Sequence, residues 1–203
     1  MAFRVMSVLA ACVFAVSVQA AQITPPDVLV KSTAQHVIAL LKETQGHDHQ
    51  QRKKILETVE PDFDFTHMTR LAVGRYWRQA TPQQQAALTQ QFRALLVNTY
   101  ANSLSRYRNQ TIQYKPLRLQ PGATYATVRT LVVESGGQPI PIDYDMQKMP
   151  NGWKVYDVVV DGVSLVINYR SSFADEIQRS GIDGLIGVLQ RKNAALAADD
   201  RGG

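Results

Sequence analysis

Near Asn109 the hydrophobic period of the chain changes, and that change decides the fold class. Upstream, apolar residues recur every three to four positions, the spacing that places them on one side of a helix. From Thr111 to Val160 they recur every second position, the spacing of strands with one covered face. After Gly162 the helical spacing returns. A chain patterned as helices, then strands, then helices folds as α+β, with its helices packed on one face of a curved antiparallel sheet.

The strand block divides at its turns. Thr111 to Leu119 alternates, with Pro116 arguing for an edge position or a bulge. Ala123 to Glu134 follows, with Tyr125, Thr127, Arg129, Leu131 and Val133 on one face and Ala126, Val128, Thr130 and Val132 on the other. Ser135-Gly136-Gly137 reads as a hairpin turn. Ile140, Ile142, Tyr144 and Met146 then line one face of the next strand, opposite Asp143, Asp145 and Gln147. Pro150-Asn151-Gly152 turns again into Trp153 to Val160, and Asp161-Gly162 closes the block. Connections this short join antiparallel neighbours, so the strands form a meander.

Among the helices, Thr81 to Tyr107 carries the strongest signals. Thr81 can cap the free backbone N–H groups, Pro82 tolerates the first helical position, and Gln84 completes a capping box. Leu88, Phe92, Leu95, Leu96, Thr99, Tyr100, Ser103, Leu104 and Tyr107 form one face, with Gln90, Arg93, Asn98, Asn102 and Arg106 opposite. Earlier helices are expected from Asp27, over Gln51 to Val59, and over Phe65 to Val73 with Asp64 as cap and Gly74 as terminator. Later ones run to Gly181 and again from Asp183, leaving Ala194 to Gly203 as a frayed, disordered tail. The long helix is expected to lie across the concave side of the sheet, so that unfilled space between them becomes a pocket.

The first twenty residues read as an address. Arg4 precedes an apolar run, Val5 to Val18, too short to span a bilayer, and Val18-Gln19-Ala20 puts small residues before a cut at Ala21. Leu9-Ala10-Ala11-Cys12 also fits a bacterial lipoprotein box. The expected organisation is therefore a signal peptide over 1–20 and a single domain over 21–203. Cleavage removes Cys12, the only cysteine, and with it any disulfide or thiolate chemistry. A net charge of +5 over 203 residues suits anionic lipid or acidic protein surfaces and is too small to argue for nucleic acid.

Candidate chemistry is sparse. His47-Asp48-His49 groups potential metal ligands in a polar loop without a third supporting residue nearby, so no metal is expected. Asp143 or Asp157 with Tyr144 or Tyr156 could act as an acid–base pair on a small apolar substrate if a cleft held them. Ser164 lacks a Gly-x-Ser-x-Gly elbow. No catalytic residue and no cofactor is expected, which leaves apolar capacity as the main functional signal.

Two groups of motifs, in order, extend this reading. The first is Phe63-Asp64-Phe65, Met68-Thr69-Arg70 and Gly74-Arg75-Tyr76-Trp77-Arg78-Gln79-Ala80-Thr81-Pro82, running into Phe92-Arg93 and Thr99-Tyr100. The second is Trp153-Lys154-Val155-Tyr156-Asp157-Val158, Gly162-Val163-Ser164-Leu165, Asn168-Tyr169-Arg170, Phe173 and Gly181-Ile182-Asp183-Gly184-Leu185. The chain resembles the MlaC family of periplasmic phospholipid-binding proteins, of the Mla (toluene-tolerance) lipid transport system, from about Pro26 to Leu196. The resemblance implies a nuclear-transport-factor-two-like α+β cone that holds acyl chains inside and leaves the headgroup outside. It implies a carrier shuttling phospholipid between an outer-membrane lipoprotein–porin complex and an inner-membrane ABC transporter complex, maintaining outer-membrane lipid asymmetry. On that basis the expected lipid wall is Leu71, Trp77, Phe92, Leu95, Leu96, Thr99 and Leu104 from the helices. From the sheet it takes Leu131, Val133, Ile142, Tyr144 and Met146. Arg93 matches a basic position of the family's long helix and is the first candidate for the entrance, followed by Arg129 and Lys148.

Overall fold

A computed structural model describes residues 23–43, 49–105, 110–134 and 136–202, and side chains are described within these ranges except at 43, 49–52, 101–105 and 199–202. The fold is α+β. Among the described residues, five α-helices, α1 (Pro26–Glu43), α2 (His49–Val59), α3 (Phe65–Val73), α4 (Pro82–Ser105) and α5 (Arg170–Gly202), accompany strands β1 (Thr111–Tyr114), β2 (Tyr125–Val133), β3 (Ile140–Met149), β4 (Gly152–Val160) and β5 (Val163–Ser164). The strands lie in chain order as an antiparallel meander.

Local chemistry sets the boundaries. The Asp64 carboxylate accepts the backbone N–H of His67 at 2.8 Å and caps α3, which ends at Gly74 with φ 61°. That left-handed value suits glycine, and an added Cβ would come within 3.0 Å of the Arg170 guanidinium. The capping box of α4 is reciprocal: Gln84 N–H donates to Thr81 Oγ1 at 3.2 Å, and Thr81 N–H donates to Gln84 Oε1 at 3.0 Å. Asp161 and Gly162, both at positive φ, form the tight turn from β4 into β5.

Two apolar clusters hold the molecule. In the helical one, Leu88, Phe92, Leu95 and Leu96 of α4 meet Phe173, Ile177, Leu185 and Leu189 of α5 and Met68, Ala72 and Val73 of α3. Each large side chain so buried contributes about 1.5–3 kcal/mol. The second cluster lies on the sheet, where Val30 of α1 covers Val128, Met146, Trp153 and Val155. Phe63 touches both clusters and bridges to Val155 at the edge of β4.

Two expectations are corrected here. The main partners of α4 are α5 and α3, and it is α1 that crosses the sheet at β2. The part of the α4 face from Leu88 to Leu96 is buried in the cluster with α5, whose own face has the same spacing. The tail is helical through Gly202 rather than disordered: beyond the kink at Gly181 (φ 73°, ψ −179°), α5 continues with Leu196 packed on the helical cluster. Asn193 secures it by donating to the carbonyl of Gln91 at 2.9 Å.

Candidate functional site: an uncovered apolar face of the sheet

The site is read from strand register. Directly paired residues share a face, so Thr130–Ile142, Val128–Tyr144 and Ala126–Met146 between β2 and β3 define the inner face. On β4 it continues through Val160, Val158 and, past a bulge opposite Asp145 and Met146, through Val155 and Trp153. On β1 it takes Ile112 and Tyr114. Rows at the level of Val128, Met146 and Val155 are closed by α1. The next rows, with Ile112, Val132, Ile142 and Val160, are half-buried, and among the described residues neither apolar cluster includes them.

Tyr144 marks the boundary between the closed and open rows. Surrounding protein pushes its hydroxyl up to about 12, chiefly by burial and then through Tyr114, yet part of its surface is uncovered. At the α4 end, Thr99 and Tyr100 are half-buried, and Tyr100 is also pushed up to about 12 by burial, with Tyr169 beside it.

The expected site residues separate into groups. Ile142 and Tyr144 face the open rows, and Leu71, Trp77 and Thr99 are half-buried among the helices. Phe92 and Leu95, at 0% and 1% exposed, face no open space. The Phe92 ring is taken by Tyr169 and Phe173, edge-on at 5.2 Å and 5.3 Å. Leu96 and Met146 are likewise buried, Met146 in the cluster that α1 covers. These four are core. Leu131 and Val133 are corrected outright: they pair with Pro141 and Gln113, and with Thr111, on the outer face, away from Ile142 and Tyr144. Assigning both alternating sets to one wall mixed the two faces of a sheet. The side chain of Leu104 lies outside the described ones, as do the His47-Asp48-His49 cluster and the segment over 1–20.

The entrance charges also stand differently. Arg93 donates to Glu60 Oε2, and its guanidinium lies 5.7 Å from the centroid of Phe65. That pairing ties α4 to the turn before α3. Arg129 is on the outer face with Asp143 Oδ2 3.6 Å from its Nε. Lys148 is exposed near the β3–β4 hairpin, beyond Met146 and away from the open rows. Sequence reasoning missed Ile112, Val132, Val158 and Val160. Their signal was present in the even-numbered alternation of β2, which continues Val128 and Thr130 into Val132.

The same register separates the Asp143–Tyr144 pairing of the acid–base alternative. Asp143 is on the face opposite Tyr144 and is engaged with Arg129. Asp157 is buried, which pushes its carboxyl up, and it accepts from Ser164 Oγ and from Val158 N–H at 2.8 Å. It fastens the β4–β5 corner. Among the described residues no group of three His, Cys, Asp or Glu could hold a metal ion.

Residues 31–191 match the MlaC protein family, well over half of the sequence. The chain belongs to the MlaC family. It is similar to the toluene tolerance protein ttg2D of Pseudomonas putida, 34% identical over 60% of this chain and 59% of that protein's length. It is also 24% identical to the intermembrane phospholipid transport system binding protein MlaC of Haemophilus influenzae, over 83% of this chain and 82% of that protein. Among solved structures it is similar to a phospholipid-binding protein from Ralstonia solanacearum, determined in complex with a phospholipid. That match has 38% identity and a TM-score of 0.79, and it covers 86% of this chain and 99% of the other.

Proposed function

We propose that the chain is a periplasmic carrier that holds the acyl chains of a phospholipid against the uncovered inner face of its sheet. It moves that lipid between the outer- and inner-membrane complexes of an Mla system, so that the outer membrane keeps its lipid asymmetry. The observation that carries the reading is the structural likeness to a phospholipid-bound protein over almost the whole of that protein. The half-buried rows of Ile112, Val132, Ile142 and Val160, outside both apolar clusters of the described residues, support it.

The need for a carrier is energetic. Two acyl chains of about sixteen carbons, at about 0.8 kcal/mol per CH₂, resist water by roughly 25 kcal/mol. Free crossing of an aqueous compartment is negligible on that scale, so both tails require cover. No bond in the lipid has to break, and the chain is read as a binding protein without catalysis. Export is read from the segment over 1–20, with N-terminal sequencing expected to start at Ala21.

Native mass spectrometry of protein purified from cells tests the reading. A co-purifying mass matching a phospholipid is expected. Protein that is always empty, and that takes up no lipid from detergent-dispersed phospholipid, would sink it.

A further inference from the structure

Away from the inner face of the sheet, one part of the surface joins exposed arginines to exposed aliphatics. The 3₁₀ segment Gly74–Gln79 packs against α5, where Tyr76 reaches Gln178 and Asp175. It carries Arg75 and Arg78, three apart and so on one edge of a helix with three residues per turn. Arg170, the first residue of α5, lays its guanidinium beside Gly74 at the start of that segment. All three arginines are exposed, and among the described residues none is in an ion pair. Arg75 donates to the Tyr76 hydroxyl at 2.9 Å, a bond to a neutral group that leaves its charge unmet. Asp175 is the carboxylate beside Tyr76, and one carboxylate against three guanidinium groups leaves the surface positive. Helix stability does not explain Arg170, since a cation in the first turn opposes the dipole and no acidic residue there offsets it.

The aliphatics stand next to Arg170 in the chain. Ile167 precedes it by three residues across a 3₁₀ turn, which puts both on one side. Val163 lies four residues earlier still, around a turn that the Ser164 hydroxyl holds by accepting the N–H of Ile167 at 2.8 Å. Val163 is 54% exposed and Ile167 41%. Val163 also pairs with Val160, so this strip starts at the end of a half-buried apolar row and finishes at the arginines. The core of a protein interface takes large side chains in a shielded patch. Two aliphatics bordered by unpaired arginines suit a lipid surface instead. There the guanidinium forks meet phosphodiesters and the aliphatics enter the boundary of the acyl layer.

We propose that Val163, Ile167, Arg75, Arg78 and Arg170 form a docking surface for an anionic phospholipid bilayer, which brings the Val160 end of the open rows against the membrane. This rests on the carrier reading above and names where the carrier meets its lipid source. With three charges and two aliphatic side chains the contact is weak and reversible, as a carrier that must leave again requires.

The test is co-sedimentation of the protein with vesicles of phosphatidylcholine alone and of phosphatidylcholine mixed with phosphatidylglycerol. Wild type is expected to partition to the mixed vesicles by about tenfold or more over the neutral ones, with the preference shrinking as salt is raised. Replacing Arg75, Arg78 and Arg170 together by Gln removes the preference. Replacing Lys42, Lys115 and Arg118 by Gln takes away the same charge from other exposed positions and leaves most of it. Val163→Ser with Ile167→Ser weakens partition at low and high salt alike. Urea midpoints of the variants check that they are folded, and lipid occupancy by native mass spectrometry decides the carrier reading separately. Equal partition to the two kinds of vesicle, or equal losses in the two triple variants, overturns the docking surface and leaves the carrier intact. Wild type that ignores both kinds of vesicle overturns it as well, and a fall in lipid exchange in the arginine variant would then assign the same surface to an acidic protein.

Discussion

His67 shows what one side chain contributes through its surroundings. It stacks on Tyr156 at 4.6 Å, and its buried Nδ1 has no hydrogen-bond partner among the described residues. Burial, reinforced by the nearby Arg70 charge, lowers its pKa below 6.5, so the folded chain favours the neutral ring. Above 6.5 the ring is neutral in both folded and unfolded chains and stability does not depend on it. As pH falls through 6.5 the unfolded chain takes the proton first, and stability is lost until the folded ring titrates as well. Asp157 acts in the opposite direction, because its raised carboxyl pKa makes protonation easier in the folded state. The informative quantity is therefore a difference between proteins. Urea midpoints measured from about pH 8 to about pH 5 should fall less for His67→Gln than for wild type. Parallel curves would show that the ring does not carry the acid loss.

At the scale of elements, most boundaries were legible because they are written in local chemistry. Asp64, Gly74, Thr81, Pro82, Gln84 and Gly181 each act on backbone within a few residues, and each has the role its type and spacing suggest. The tail was misread because Ala194, Ala195, Ala197 and Ala198 show no amphipathic pattern. Its anchors, Asn193 to Gln91 and Leu196 to the helical core, are contacts across roughly half the chain. The α4 cap gives a quantitative check. Thr81→Ala should cost about 1 kcal/mol in chemical denaturation. Gln84→Ala should cost at least as much, because Gln84 Nε2 also donates to Asp183 of α5 at 2.9 Å and ties two helices together. A loss under about 0.3 kcal/mol for both would mean the first turn is held by packing alone.

At the scale of the molecule, the candidate site was less legible than the fold, and register is the reason. Alternation in β2 offers two faces, and composition alone does not say which is inside: Leu131 and Val133 are as apolar as Val128 and Val132. Only pairing with β1 and β3 assigns them, and pairing is a property of the assembled sheet. Helix periodicity likewise marks Phe92 and Leu95 as buried without saying whether protein or ligand buries them. The layered arrangement separates these cases by experiment. In Phe92→Ala a core side chain is lost, at about 3–5 kcal/mol, and lipid should be released only in step with unfolding. In Ile142→Asp a half-buried residue is replaced on rows that neither apolar cluster of the described residues includes, so the cost to the empty protein should be far smaller. The carboxylate would then face acyl chains without a partner, and bound phospholipid should fall by tenfold or more, since even ~1.4 kcal/mol of desolvation is a tenfold change. Val160→Asp, paired with Ile142 across β3 and β4, should behave in the same way. Val133→Asp, on the outer face, should leave occupancy near wild type. Occupancy read by native mass spectrometry beside the urea midpoint of each variant gives the two axes. If Ile142→Asp and Val133→Asp lose lipid equally, the ligand is not held on the inner face.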